Sequence, residues 1–244
     1  MTHDTSSVAQ NAAEFRPEVD DVFARIAERY DLLCDLFSVY AHRIWKSHLA
    51  RRIALLPGRR VLDVASGTGD IPLRVLRRAP HDDRQILVTD LCAEMLDVAR
   101  RRVGTTDPRV TYMRLDAHRL DEIESSSVDV YSIAFGMKIM DREQVLAQAR
   151  RVLKPGGAFF CLEAARIPWP LVHAAYLKYM NWCLPLIARI ATSDPAAYDY
   201  LLRGIHDFPD QRAFCNQISS HGFADVRFTN LTFGIVALHE GRKL

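Results

Sequence analysis

The chain has 244 residues, 49% hydrophobic and 25% charged, a composition that excludes a fibrous or disordered protein and provides for one core with a cap. Its 32 basic and 30 acidic side chains leave a formal charge of +2. That balance gives no electrostatic footprint for nucleic acid, and Cys34, Cys92, Cys161, Cys183 and Cys215 form no C-x-x-C, so neither a disulfide framework nor a metal site is expected and a reducing, cytoplasmic compartment is.

In chain order, residues 1–17 read as a flexible polar tail without the apolar stretch of a secretion signal. Residues 18–57 read as an N-terminal helical cap. One helix is predicted over 18–31, with Val22, Ile26, Ala27 and Tyr30 on one face, and a second over 39–55, using Ile44, Trp45, Leu49, Ile53 and, near its end, Leu56 before Pro57-Gly58 stops it. Residues 58–165 then alternate. Strands are predicted at 60–65, 85–90, 110–115 and 128–135, with helices from Asp70, over 93–102 and over 142–153, and Pro155-Gly156-Gly157 turns into a last strand, AFFCLEA. This alternation predicts an α/β fold with a mostly parallel sheet and helices on both faces.

Residues 166–209 read as a helical lid over a substrate pocket. Pro168, Pro170 and Pro185 punctuate the segment and His173, Lys178, Asn181 and Arg189 interrupt it, which makes it a poor membrane span. Trp169 and Trp182 leave open a peripheral contact with a bilayer, and an apolar lid also suits a homodimer. Residues 210–244 return to the sheet: a helix over 210–221 with Phe214 and Ile218 inward, then ADVRFTNL and FGIVALHE as an antiparallel pair at the sheet edge.

The decisive stretch is VLDVASGTGD, residues 61–70. An apolar strand runs into a glycine turn, and the next strand closes on Asp90, the pattern by which an open α/β sheet holds a nucleoside. Gly67 and Gly69 fill the first two places of G-x-G-x-x-G, but Pro72 holds the third, so a dinucleotide fold lacks its close-packing glycine. No Lys follows the turn as a P-loop requires. An acid stands there instead, which suits a ligand with an ammonium group and a sugar rather than a pyrophosphate. S-adenosyl-L-methionine (SAM) is such a ligand. Asp90 at its strand end suits the ribose hydroxyls or a helix cap; Asp63 suits the loop or the ammonium; Asp70 suits the helix start.

Taken together, VFARIAERYDLLCDLFSVYAHRIWK, VLDVASGTGD, TDLCAEML, FGMKIM, RVLKPGGAFFCLE, AAYDYLLRGIHDFPDQ and NLTFGIVALHEG resemble the class I SAM-dependent methyltransferases, and within them the ubiquinone/menaquinone biosynthesis C-methyltransferase family. The resemblance covers nearly everything from residue 22 onward. It implies a Rossmann-like sheet with an antiparallel C-terminal edge, no metal, and methyl transfer to a ring carbon of a lipophilic quinol-like or other hydroxylated aromatic small molecule. For the cofactor it implies Asp63, Gly67, Gly69, Asp90, Leu91, Met95, Asp116, Ala117 and Phe135.

The chain departs from the family's pattern on the acceptor side. Lys138-Ile139 stands where Arg-Asn is typical, Leu33-Cys34 where Met-Asn is, and Phe233 where Gly is. Lys138, as a point charge stabilising a phenolate, and His206 and Tyr30 are the catalytic candidates; His173, Tyr200, Asp194 and Asp207 are further proton acceptors. O- or N-methylation of a specialised metabolite, or SAM binding without methyl transfer, are the alternatives left by these substitutions.

Overall fold

The structure is a computed structural model that describes residues 23–191 and 205–244. A 3-10 turn, Ala27–Arg29, leads into α1 (Tyr30–Ser38), followed by α2 (Ala41–Ala54). The core runs β1 (Arg60–Val64), α3 (Asp70–Arg78), β2 (Gln85–Asp90), α4 (Ala93–Val103), β3 (Val110–Arg114), β4 (Val128–Ala134), α5 (Arg142–Val152) and β5 (Leu153–Ala164). Then come α6 (Pro170–Ala191), α7 (Gln211–Ser220), β6 (Phe223–Leu231) and β7 (Val236–Lys243). The seven strands form one sheet in the order β3-β2-β1-β4-β5-β7-β6.

All pairings through β5 are parallel, and β7 runs antiparallel to both β5 and β6. The expected C-terminal antiparallel pair is present, with β7 slotted inside and β6 at the edge. Each face of the sheet carries its own core. Leu62, Val64, Tyr131, Ile133 and Phe159 pack with α5 and α7 on one side, while Val61, Val130, Phe160 and Leu162 pack with α2, α3 and α4 on the other. A strand covered on both faces must be apolar throughout, so a polar residue in β1 or β4 is there for a reason other than packing.

The cap differs from its predicted form. The helix expected over 18–31 breaks at the 3-10 turn, and the described helix runs on to Ser38 instead; Val22 lies outside the described residues. Val39 (φ 48°) and Tyr40 (φ 64°) are left-handed and separate α1 from α2. Along α2 the buried stripe is His42, Trp45, Lys46, Leu49, Ala50 and Ile53, so Ile44 falls off it and is 71% exposed rather than inward. In β5, the expected turn at Pro155-Gly156-Gly157 is drawn into the strand.

Phe233 departs from the family pattern at a strained turn. It sits at φ 57° in the turn between β6 and β7, beside Thr232 at φ 45°, with its ring 76% exposed. Left-handed backbone suits glycine and strains an aromatic residue. Phe233→Gly is expected to raise stability by about 1 kcal/mol, since little burial is lost; urea unfolding of the two proteins measures it.

Candidate active site

The order of strands reverses between β1 and β4, which are neighbours. In open α/β sheets this is where the loops at the carboxyl ends diverge and leave a crevice. Two non-glycine residues at its lips, Ala65 (φ 49°) after β1 and Phe135 (φ 63°) after β4, are left-handed. Strain of this kind gathers at functional loops. Between them lies a cavity of about 30 Å³ lined by Tyr30, Lys46, Asp63, Ala65, Ser66, Gly67, Thr68, Ile71, Ala134 and Phe135. Of the predicted residues, Asp63, Gly67, Phe135 and Tyr30 therefore meet at one place.

Asp63 is 1% exposed and opposite Ser132 in the β1–β4 register. The Ser132 hydroxyl donates to its Oδ1 at 2.6 Å, while Oδ2 is buried with no hydrogen-bond partner among the described residues. Burial disfavours the charged form and pushes the Asp63 carboxyl up to about 6, against the opposing pull of Ser132 and the nearby Lys46. Asp90, at the end of β2, accepts from the Gly67 amide at 2.8 Å and from the Cys92 amide at 2.9 Å. One carboxylate thus fixes the glycine loop and starts the connection into α4.

Gly67 and Gly69 have φ of 54° and 75°. A Cβ on Gly69 would lie 2.8 Å from Val103 and 3.0 Å from Ala99. The close helix approach that the sequence lacked at Pro72 is met here, at the second glycine, by α4. Asp70 opens α3, but its carboxylate does not cap the helix amides. It is 5% exposed and lies 3.1 Å from Lys46, 3.3 Å from Arg74 and 3.4 Å from Arg102. Burial would raise its carboxyl, yet these three cations outweigh burial and hold it at about 2. Thr68 joins the same belt, donating to Asp31 at 2.8 Å and accepting from Arg102 at 2.6 Å.

On the far side of Asp90, Asp116 follows β3. Its Oδ1 accepts from the His118 backbone amide at 2.9 Å and lies 2.7 Å from His118 Nδ1. The Asp141 amide donates to His118 Nε2 at 3.1 Å. Nε2 is therefore the acceptor nitrogen and Nδ1 carries the proton that Asp116 receives. Ala117 and Met95 are both buried, Met95 with Ile26, Ala27, Leu33 and Val98 in the core beneath the cap, and Leu91 is half-buried.

The three catalytic candidates fare differently. Lys138 is engaged within the protein: its side chain is 6% exposed, its Nζ lies 3.1 Å from the fully buried Glu163, and it also donates to the Phe135 carbonyl. Burying a lysine requires such a partner, and the carboxylate of β5 supplies it. His206 and Asp207 lie 3.7 Å apart with side chains 75% and 78% exposed, apart from the cavity lining. Tyr30 does line the cavity, its ring near Gly67. The Cys34 sulfur beside it and burial raise its hydroxyl well above the ordinary range, so it is a donor and not a base. Burial, and after it the nearby Arg166 and His206, lower the pKa of the His173 imidazole, whose Nδ1 is unpartnered among the described residues and which does not line the cavity. Asp194 and Tyr200 lie outside the described residues, as do the predicted tail and part of the predicted lid.

Lys46, Thr68, Ser132, Glu163 and His118 were not singled out from the sequence. Only Lys46 left a signal there: a lysine at a position of α2 that the 3.6-residue period places in the buried stripe.

Comparison with known proteins decides the class. The profile of the ubiE/COQ5 methyltransferase family matches residues 9–243. The chain belongs to this family. It is 40% identical over 229 residues to "Ubiquinone/menaquinone biosynthesis C-methyltransferase UbiE" of Dinoroseobacter shibae, covering 93% of this chain and 90% of that protein. It is 36% identical over 245 residues to the mitochondrial "2-methoxy-6-polyprenyl-1,4-benzoquinol methylase" of Oryza sativa subsp. japonica, covering 93% and 83%. Among solved structures it is similar in fold to a SAM-dependent methyltransferase of Thermotoga maritima, with TM-score 0.64 at 16% identity over 93% of this chain and 100% of that one. The CurJ carbon methyltransferase gives TM-score 0.61 at 18% identity, over 84% and 57%.

This ubiE/COQ5 family member is thus a SAM-dependent methyltransferase of Rossmann-like fold. The residues present fit SAM on a structural ground: the orphaned Asp63 Oδ2 is an anionic acceptor beside a glycine loop, as an amino-acid ammonium requires.

Asp63 also sets a dependence of stability on pH. Its carboxyl binds a proton more tightly folded, near pH 6, than unfolded, near 3.8. Stability is fully present below about pH 4, is lost as pH rises through about 6, and the full loss is about 3 kcal/mol. Asp63→Asn removes that charge. The variant is expected to exceed the wild-type protein by up to about 3 kcal/mol at pH 8 and to match it near pH 4, as read by urea unfolding at both values.

Proposed function

We propose that this methyltransferase alkylates a ring carbon of a hydroxylated, quinol-like aromatic acceptor of lipophilic character. The observation that carries this is the identity of 40% and 36%, over 93% of the chain, to proteins named a C-methyltransferase and a benzoquinol methylase. The bound SAM supplies a methyl group on a sulfonium, electrophilic toward an electron-rich carbon.

The chain's own residues divide the remaining work. Asp63 receives the ammonium, Asp90 accepts from the ribose diol while holding the Gly67 amide, and Asp116, oriented by His118, takes the adenine edge beside Ala117. Leu91 and Met95 contribute packing under the nucleoside. Phe135 borders the reacting centre, and its strained backbone is held by Leu162, whose carbonyl accepts from the Phe135 amide at 2.8 Å. Alignment of the ring by such walls supplies much of the rate in a transfer that needs little covalent help. The acceptor hydroxyl must lose a proton, and His173, with Nδ1 buried and unpartnered among the described residues, is the group proposed to receive it ahead of exposed His206.

Trp169, Leu171, Val172 and Trp182 on and beside α6 are exposed, which supports an oily acceptor. The same face is where a bilayer surface or a second copy would rest. Among the described residues no helix is long and apolar enough to cross a membrane. The proposed boundaries follow this division: a cap at 18–57, the cofactor core at 58–165, a cover at 166–209 and the sheet's return at 210–244.

A second proposal, O- or N-methylation of a specialised metabolite, draws on one observation. Lys138 is engaged with Glu163, and the Ile139 side chain has no polar atom where an Asn would offer an amide, so the acceptor side offers fewer polar side-chain groups than Arg-Asn would. Labelled SAM incubated with short-tailed quinols and with hydroxylated polyketides separates the two. The expected product carries its new methyl on a quinol ring carbon; a methyl ether or methylamine would overturn the first proposal. In the same assay Asp90→Ala should weaken SAM by about 30- to 150-fold, His173→Ala should slow transfer, and His206→Ala should leave the rate unchanged.

A further inference from the structure

The cavity beside the glycine loop contains a cation as well as an acid. Lys46 comes from α2, outside the nucleoside-binding half of the sheet. It is buried, lines the cavity together with Asp63, and its Nζ lies 3.1 Å from Asp70 Oδ2. Asp70 has two further cationic partners. Arg74 lies 3.3 Å and Arg102 3.4 Å from the same carboxylate, and Arg102 also reaches Asp31 at 2.7 Å. A buried ammonium has three donors in the space of one group, and here one of them faces an anion that two guanidiniums already serve.

A ligand with an amino-acid end is a zwitterion. Its ammonium suits the orphaned Asp63 Oδ2, but its carboxylate, if buried in the same cavity, needs a cation there. Among the described residues lining the cavity, Lys46 is the one that carries positive charge.

We propose that Lys46 anchors the carboxylate of the methionine end of SAM, turning part of its donor capacity from Asp70 to the ligand while Arg74 and Arg102 keep Asp70 paired. This rests on the cavity being the SAM site. It makes the N-terminal cap part of cofactor recognition: the sheet reads the nucleoside and the ammonium, and α2 reads the carboxylate.

The test is calorimetric binding of two ligands, SAM and decarboxylated SAM, which keeps the sulfonium and ammonium and lacks the carboxylate. The wild-type protein is expected to bind SAM at least about 10-fold more tightly than the decarboxylated ligand. Lys46→Met should weaken SAM by about 30-fold and the decarboxylated ligand by less than about 2-fold, so the preference collapses. Thermal unfolding without ligand checks that the variant is folded. Equal weakening of both ligands, or of neither, would assign Lys46 to tying α2 to α3 and overturn the anchor. Should Lys46→Met not fold, the wild-type comparison decides: equal affinity for the two ligands overturns the proposal. Binding of neither ligand by the wild-type protein would instead reject the cavity as the SAM site, and the anchor with it.

Discussion

Asp63 places a carboxylate inside a parallel strand buried on both faces, with one oxygen bonded to Ser132 and the other left without a partner among the described residues. A chain built for stability alone would put an apolar residue there, because an unsatisfied buried acceptor costs about 1–3 kcal/mol and a buried charge more. The surroundings moderate that cost without removing it. Lys46 is close enough to pull the carboxyl back toward ionisation, yet burial still wins and the group sits near 6. The site's acidity, its attraction for a cation and its destabilising effect are one fact seen three ways. Local sacrifice of stability at a point of recognition is how folded proteins hold a reactive environment ready.

Around that carboxylate, two parts of the chain meet. The sheet contributes Asp63, Asp90 and the left-handed residues that end β1 and β4. The cap contributes Tyr30 over Gly67, Asp31 to Thr68 and Lys46 to Asp70. Thr68 and Asp70 belong to the glycine loop and its helix, so the cap is bonded to the very segment whose backbone must approach a ligand. A cavity of about 30 Å³ is room for about one water, far less than a nucleoside with an amino-acid arm. The Lys46–Asp70 ion pair and the Asp31–Thr68 hydrogen bond are the contacts that tie the cap to this loop.

Much of the fold was legible in the sequence for a physical reason. Strands buried on both faces are short continuous apolar runs, and VLDV, ILVTD and VDVYSIA could be nothing that needs a solvated face. The glycine turn and the acid at the end of β2 were equally visible, because backbone freedom and strand-end charge are local properties. What escaped depended on three-dimensional pairing. Ser132 finds Asp63 only through the register of β1 against β4. Glu163 pairs with Lys138 only because β5 lies beside β4, a partner that spacing in the sequence does not reveal. The close-packing role expected of a third glycine passed to Gly69 because α4, 30 residues on, supplies Ala99 and Val103. Ile44 failed for a smaller reason: the helix phase is set by Trp45, Leu49 and Ile53, and a neighbour of one of them points to solvent.

The claim at the centre is that a ligand cation sits on Asp63. Such a cation must stabilise the ionised carboxylate and so displace its proton wherever the free protein still holds one. Calorimetric titration of SAM at pH values from 5 to 8, each in two buffers of different ionisation enthalpy, counts that proton directly. The expected result is a release of protons on binding that is marked below about pH 6, fades toward pH 8 and is absent in Asp63→Asn. Binding of SAM with no proton release at any of these pH values would contradict the placement of the ammonium on this carboxylate.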